Sequence, residues 1–504
     1  MSASEANNEQ QPPGMAPSRR FTQCDVLVVG AGPAGAATAA HLARSGVRVL
    51  LLDQSSFPRD KVCGDFVGPV ALRELERLKV NTLPGFYHTN PIRTASLYLN
   101  GEALICQRFP RIDRLPGFGR IIPRLALDGW IVSSAVAAGA QIWDGARVLS
   151  ARWSSKWVTV NVQTSKGGKA LIRTKLLVGA DGSTSLIARL LRGATTQRSD
   201  RIIAVRAYVE GIEGPTDQAD LYFSQDCFPG YFWLFPTGAR GANVGAGMLL
   251  ETFPTQTSHL RDLLLNSFTS DRALHDRVRR AKVEGKVVGW PLSTFNPAAP
   301  VVGPRCLLVG DAAGLVNPLN GEGIQQALLS ARWASEIVVA NVEADRFSAE
   351  ALFAYAKRVH SELRFDMAVC SLVVQIIRNR TLVPVWFAFL KAIARRAQTD
   401  AAFARLAGGI LAGMVPAKWA LAMALPATEE VLLSAVSEGC QDWQSGPDRL
   451  VARYGPVIRR GTRMLAESAR SRGEVREWAF RLGWHLCDLL NQAGLFEGTP
   501  SVCA

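Results

Sequence analysis

The sequence predicts an α/β fold. A Rossmann-like parallel sheet with crossover helices is interleaved with an antiparallel sheet, and an all-helical C-terminal region follows. Three observations lead there. A β-branched apolar run, Val26-Leu27-Val28-Val29, enters a glycine-rich turn, a small-residue helix and a second strand. Two more buried runs, Leu176-Leu177-Val178 and Cys306-Leu307-Leu308-Val309, enter turns that pair glycine with aspartate. Segments of alternating polarity lie between them, and beyond Phe347 the pattern is helical.

The first unit is Gly30-Ala31-Gly32-Pro33-Ala34-Gly35. Gly30 permits the strand-to-helix turn, and Gly32 lets the backbone approach a pyrophosphate at the helix N terminus. Gly35, with Ala36, Ala37, Ala39 and Ala40, lets the helix lie close on the sheet. The helix runs over about 34–45, Gly46 ends it, and 47–52 form the second strand. Asp53, about 20 residues beyond the glycines, is placed to accept hydrogen bonds from a ribose hydroxyl pair. Strand, turn, helix, strand and acid in register predict a dinucleotide site.

Residues 54–65 form a loop, with Pro58 and Gly64 as breakers. The spacing predicts a helix over 69–78 and two strands within 93–106 around Asn100-Gly101. A helix over 124–138 is capped by Gly139 and followed by a strand at 141–143. The alternating stretch 153–163 turns through Lys166-Gly167-Gly168 and returns at 170–173. Residues 176–178 enter Gly179-Ala180-Asp181-Gly182-Ser183. Residues 202–209, 221–223, 230–235 and 242–250 read as strands of one antiparallel sheet, followed by a helical stretch over about 258–282. The last buried strand enters Gly310-Asp311-Ala312-Ala313-Gly314, then Gly321-Glu322-Gly323-Ile324 and a helix to about 343. The expected organisation is a disordered tail at 1–20, a core over 21–345 and a helical region over 346–504. The core is discontinuous, with dinucleotide-binding segments at about 21–90, 120–195 and 300–345. The interleaved sheet spans about 91–119 and 196–299.

Composition narrows the function. At 48% hydrophobic and 20% charged residues, the chain reads as a globular protein. The net charge of +14 is scattered and accompanied by no nucleic-acid-binding motif, so an anionic small molecule or an acidic membrane surface explains it better than nucleic acid. Nine cysteines without a CxxC predict a reducing, cytoplasmic setting with neither a disulfide framework nor a zinc site. The histidines show no metal-ligand spacing, so no metal is expected. Residues 1–20 contain no apolar core of a secretory signal, and no stretch reaches the ~18 apolar residues of a membrane span.

Taken together, the turns at 30–35, 179–183 and 310–314 resemble those of the p-hydroxybenzoate hydroxylase-like flavoproteins. The resemblance implies FAD. The first turn would hold its ADP, and Gly310-Asp311 its ribityl and pyrophosphate end. The helix N terminus after Gly321 and Gly323, beginning at Ile324, would face the flavin ring, where its dipole favours the charge of the reduced state. The resemblance also implies that Arg124 contacts FAD, and that Asp181 and Gly182 touch FAD and NAD(P)H.

Within that superfamily the chain is most similar to the geranylgeranyl reductase branch. Two segments carry the similarity: Phe57-Pro58-Arg59-Asp60-Lys61-Val62-Cys63-Gly64-Asp65, and Tyr231-Phe232-Trp233-Leu234-Phe235-Pro236 followed by Asn243-Val244-Gly245-Ala246-Gly247. The implied reaction is reduction of carbon–carbon double bonds in a prenylated or polycyclic lipophilic substrate. FADH2 would donate the hydride, with NAD(P)H or a small electron carrier as reductant. By the same resemblance Cys63 and Gly64 lie near the flavin, with Cys63, Tyr231 or water as proton donor. Alternation places Tyr231, Trp233 and Phe235 on one face, either as a pocket wall or as sheet core. Cys63 is either a chemical participant or a small residue filling a loop.

A second mechanism shares the fold: a monooxygenase or epoxidase in which reduced flavin meets O2. Flavin-dependent halogenases share it too, but their W-x-W-x-I-P segment here has Tyr231 for the first Trp and Phe235 for the Ile. Residues 346–504 match no motif. Between Cys370 and Pro426 they carry Arg378, Arg380, Lys391, Arg395, Arg396, Arg405 and Lys418 against one acid, Asp400. That region is either a helical lid or dimer surface, or a basic face resting on the inner side of an anionic membrane.

Overall fold

Three adjacent parallel strands each end in one of the three glycine turns, so the turns gather at a single edge of a sheet. The computed structural model describes residues 20–165, 167–193, 201–252, 259–296, 298–380, 383–411, 413–415 and 485. The expected tail lies outside them, apart from Arg20, which already belongs to a strand.

β1 (Arg20–Val29) leads through the glycine turn into α1 (Pro33–Arg44) and returns as β2 (Val49–Leu52). From Val26 to Val29 and from Val49 to Leu52 the two strands are buried at every position, which is why these runs are apolar without alternation. β3 (Phe66–Val67), α2 (Pro69–Arg77) and β4 (Asn90–Ile92) follow. β5 (Thr94–Leu99) and β6 (Glu102–Arg108) form the expected hairpin, with Asn100 and Gly101 both left-handed at its turn. β7 (Gly119–Ile121) pairs with β3 and β4 in a small separate sheet. α3 (Arg124–Ala137) and β8 (Gln141–Trp143) come next.

The stretch 153–163 is not a single strand. β9 (Arg147–Trp153) reverses at Ser154, whose N–H donates to the Trp157 carbonyl at 2.8 Å, and β10 (Val158–Gln163) runs back. Residues 170–173 and 176–178 are likewise parts of one strand, β11 (Lys169–Gly179). Lys175 breaks the apolar run in sequence, but its ammonium pairs with Asp25 at 2.9 Å beside the neighbouring strand.

After α4 (Leu186–Arg192) come β12 (Arg201–Glu210), β13 (Gln218–Phe223), β14 (Tyr231–Pro236) and β15 (Gly241–Leu249). The expected helix over 258–282 is two helices and the start of a strand. α5 (Leu260–Ser270) ends at Asp271, whose carboxylate accepts the Leu274 N–H at 3.0 Å and caps α6 (Arg272–Val278). Lys282 opens β16 (Lys282–Ser293), an edge strand whose charges, glycines and proline hide it from pattern reading. The second sheet has the order β16-β12-β15-β14-β13-β5-β6. It is mixed rather than antiparallel, because β13 pairs parallel with β5.

β17 (Val302–Gly303) and β18 (Cys306–Leu308) lead into the short α7 (Gly310–Ala313) and the long α8 (Ile324–Val342). The main sheet then has the order β17-β18-β11-β1-β2-β8, with β10 joined to β11 and β9 to β10. β18, β11, β1, β2 and β8 are parallel neighbours in that order. The order switches direction at β1, and ligands bind in such sheets at the carboxyl ends beside the switch. α1 packs against α8 and α3 over this sheet. A side chain at Gly35 would meet the Gly30 carbonyl oxygen at 1.8 Å, so the helix sits this close only with glycine there.

The C-terminal expectation of helices holds in α9 (Ala349–Val359), α10 (Phe365–Ile377), α11 (Val383–Thr399) and α12 (Ala401–Leu411). Lys418 and most of the chain beyond 415 lie outside the described residues. Val383 and Phe387 of α11 cluster with Leu99 and Phe228, docking the helix on the second sheet. Part of the basic count is internal: Arg380 donates to the carbonyls of Gln225, Asp226 and Thr252, and Arg396 pairs with Asp400 at 3.0 Å. No helix among the described residues is long and apolar enough to cross a membrane.

Candidate active site

One cavity runs from the glycine turn of β1 to the aromatic face of β14. Gly32, Pro33 and Ala34 line it at one end, and Gly321, Gly323 and Ile324 line it where α8 begins. Both helices start on glycine, Gly32 for α1 and Gly323 for α8. Neither has a side-chain cap or an acid in its first turn. Their first N–H groups and positive dipole ends therefore face the same space, with no acid in either first turn to satisfy them. Gly30 makes the turn possible: its φ is +100°, and a Cβ there would lie 2.3 Å from the Ala180 oxygen.

The basic residues near the α1 terminus are held by an acid that pattern reading passes over. Arg124 and Asp128 form a buried bidentate pair across one turn of α3, at 2.7 and 2.8 Å. Arg59 reaches the same carboxylate at 2.9 Å, and its Nη2 stands beside Gly32. Burial opposes the charge on Arg124, but Asp128 overcomes it and holds the guanidinium ionised. Lys61 also lines the cavity; burial pushes its pKa down and Asp311 opposes that shift.

Asp53 is buried, and here its carboxylate accepts the Ala31 N–H at 2.8 Å and the Ser55 N–H at 2.9 Å. It thus braces the glycine turn at the position expected for ribose recognition. Asp311 lines the cavity and accepts a hydrogen bond from the Ser183 hydroxyl at 3.1 Å, tying the second and third turns together. Gly310 packs beneath it against Ala34. The Asp181 carboxylate is directed elsewhere. It accepts the Leu186 and Ile187 N–H groups and the Ser185 hydroxyl, capping α4, while the neighbouring Ala180 and Gly182 line the cavity.

The far wall is aromatic. Tyr231, Trp233 and Phe235 face the cavity, whereas Phe232 and Leu234 are buried in the core of the second sheet. The Trp233 and Phe235 rings are stacked, with centroids 6.2 Å apart and planes at 23°. Trp233 lies across its cross-strand partner Gly245, where a Cβ would meet the indole at 2.0 Å. Leu221, Leu292 and, from α10, Val374 and Ile377 extend the apolar lining. The C-terminal region therefore contributes to this site.

Cys63 and Gly64 lie over that wall; a Cβ on Gly64 would touch Phe235 at 3.0 Å. The Cys63 sulfur accepts the Asp65 N–H at 3.3 Å. Burial pushes its thiol pKa up, only partly opposed by Arg124, so the group stays protonated rather than becoming a nucleophile. The Tyr231 hydroxyl donates to the Asn320 carbonyl at 2.5 Å, and burial raises its pKa as well.

Pattern reading leaves Asn243 and Asp65 without a role. Asn243 is fully buried; its Oδ1 accepts the Trp233 indole N–H at 2.9 Å. Its Nδ2 donates to the Cys63 carbonyl and to Asp65 Oδ2, both at 2.8 Å. A lone amide in a strand of Val, Gly and Ala was the available signal.

The features fit a cofactor with an anionic diphosphate at one end and, at the other, an electron-rich ring seated at a helix N terminus. Comparison with known proteins agrees. The FAD binding domain family matches residues 23–332. The chain is 33% identical over 340 residues to a menaquinone reductase of Mycolicibacterium smegmatis, covering 65% of this chain and 79% of that one. It is 30% identical over 344 residues to a digeranylgeranylglycerophospholipid reductase of Methanopyrus kandleri, covering 68% and 87%. In fold it is similar to a geranylgeranyl bacteriochlorophyll reductase-like protein of Thermoplasma acidophilum. That match has a TM-score of 0.64 at 22% identity and covers 74% of this chain and 91% of that one.

Proposed function

This chain belongs to the FAD binding domain family, within its geranylgeranyl reductase branch, and from that premise we propose that it reduces carbon–carbon double bonds in the prenyl chain of a lipophilic substrate. It is an FAD-dependent oxidoreductase. The observation that carries the finer reading is the shared cavity. The aromatic face of β14 and the apolar side chains of β13, β16 and α10 line the same space as the α8 N terminus. An apolar chain threaded along such a wall loses water-exposed surface and is held near the ring without a charged anchor. Menaquinone and digeranylgeranyl lipids, the compounds in the relatives' names, both carry such chains.

The residues divide the work. The α1 terminus, Arg59 and Arg124 would hold the diphosphate. The α8 terminus would sit against the flavin, where its dipole favours the reduced, electron-rich state. Bound in its reduced form, FAD would supply the hydride for one alkene carbon. Tyr231, Trp233 and Phe235 orient the chain and exclude water from it. NAD(P)H or a small electron carrier is the reductant in this reading.

The test is product mass. The holoenzyme is given a chemical reductant and a polyprenyl-tailed quinone or lipid, with and without oxygen. The reading expects products heavier by two hydrogens per reduced bond in both atmospheres. An oxygenated product, formed only in air, would overturn it.

A further inference from the structure

The hydrogenation needs a proton for the second alkene carbon, and the two side chains that pattern reading offers are poorly placed to give one. Burial raises the Cys63 pKa, which makes its thiol a weak acid. The Tyr231 proton is committed to the Asn320 carbonyl. Resting on the reductase reading above, we propose that Asp65 is the acid that protonates the substrate, and that Tyr208 and Asn243 hold its carboxyl for the transfer.

Asp65 lines the cavity beside Cys63 and Trp233, yet its side chain is fully buried. The carboxyl is half satisfied. Oδ2 accepts the Tyr208 hydroxyl at 2.7 Å and Asn243 Nδ2 at 2.8 Å, while Oδ1 is buried without a hydrogen-bond partner. An ionised carboxylate with one oxygen stranded is costly to bury, and a carboxylic acid is less so. The backbone at Asp65 is left-handed, with φ at +63°. A non-glycine residue in that conformation is strained and persists where surrounding bonds fix it. The Ile122 N–H donates to the Asp65 carbonyl at 2.9 Å, and the two side-chain donors fix the rest.

Burial pushes the Asp65 carboxyl up to about 6. The titratable groups facing it are Tyr208 and Arg206 from β12 and Arg124 from α3, which favour the ionised form, and the Cys63 thiol, on its own loop, which is neutral where Asp65 titrates. Asp60 stands beyond Arg206, ion-paired to it and about half-exposed. The Arg206 guanidinium lies over the Tyr208 ring, 4.3 Å from its centre, and links it to the half-exposed Asp60. An apolar substrate in the cavity removes more water and raises the acid further.

The step balances. One carbon of the double bond receives the hydride from the reduced cofactor, which gives up two electrons. The other carbon forms a C–H bond as the Oδ1–H bond breaks, and that electron pair stays on the carboxylate. The carboxylate regains its proton from water that enters the cavity when the product leaves.

The experiment uses Asp65→Asn. Asn tolerates left-handed backbone, keeps an acceptor for Tyr208 and Asn243, and carries no acidic proton. Photoreduced holoenzyme is mixed anaerobically with a geranylgeranyl-tailed lipid across about pH 5 to 8, and flavin reoxidation is followed. The wild type should lose rate as pH rises through the Asp65 transition. Asp65→Asn should be about 100-fold slower or more, with that transition gone and its flavin spectrum unchanged. Independently of turnover, infrared difference spectra should show a carboxylic-acid band that titrates in the wild type and is missing in the variant. Tyr208→Phe removes a hydrogen bond to the ionised form and should move the transition upward. Wild-type rates and pH profile in Asp65→Asn would overturn the assignment, as would an infrared band that survives the substitution. If Asp65→Asn loses its flavin, an unmoved Tyr208→Phe transition overturns it. If the wild type itself fails to reduce the lipid, the reductase reading falls, and the infrared titration alone decides whether Asp65 holds the proton.

Discussion

Asn243 donates from β15 to Asp65 at 2.8 Å, joining the second sheet to the loop that follows the dinucleotide-binding strand. Through the same amide, Trp233 is fixed against Gly245 and the Cys63 carbonyl is satisfied. The loop and the aromatic wall are therefore one unit.

Asn243→Ala should break that unit. It leaves the Trp233 indole N–H and the Cys63 carbonyl buried without partners, at ~1–3 kcal/mol for each such group. Urea unfolding should show a loss of about 2–4 kcal/mol. A loss below about 0.5 kcal/mol would mean that the amide does not tie the two parts together.

Asp128→Asn should cost about 3 kcal/mol or more, because Arg124 and Arg59 both lose the charge that offsets their burial. FAD occupancy, read from flavin absorbance after gel filtration, should fall with it. Full occupancy with unchanged stability would remove Asp128 from the cofactor-binding end.

Gly35→Ala places a methyl 1.8 Å from the Gly30 oxygen. The helix must move off the turn, and the purified protein should carry little flavin even where circular dichroism shows it folded. Normal flavin content would contradict the close approach.

Glu322 lines the cavity at the start of α8, and burial, with Asp366 adding to it, raises its carboxyl from 4.5 to about 7. Between those values the folded protein keeps a proton that the unfolded chain has released. Stability from this group is therefore full below the lower value, falls as pH rises through the window, and levels off above it. Glu322→Gln removes that loss, so its unfolding midpoint should match the wild type near pH 4 and exceed it near pH 8. Parallel midpoints across this range would show that Glu322 is not held protonated.

Much of this site is legible in the sequence because it is local. Each glycine turn follows its own strand within a few residues, and alternation in 231–235 separates the two faces of the strand, though not which of them meets the cavity. What was illegible depends on distant partners. Asp65 is 178 residues from Asn243, and its burial is set by β12, β15 and α3 together. β16 beyond Lys282 carries no strand signal in the sequence because this edge strand is largely exposed and needs no apolar stripe. Asp181 keeps the spacing of a cofactor contact, yet its carboxylate caps α4, a choice made by side-chain direction rather than by position in the turn.

The most direct measurement is anaerobic reoxidation of the reduced holoenzyme by a prenyl-tailed lipid. The account predicts that the oxidised flavin band returns without oxygen, in step with the gain of two hydrogens by the lipid. A flavin that stays reduced until air is admitted, with oxygen then appearing in the product, would contradict it.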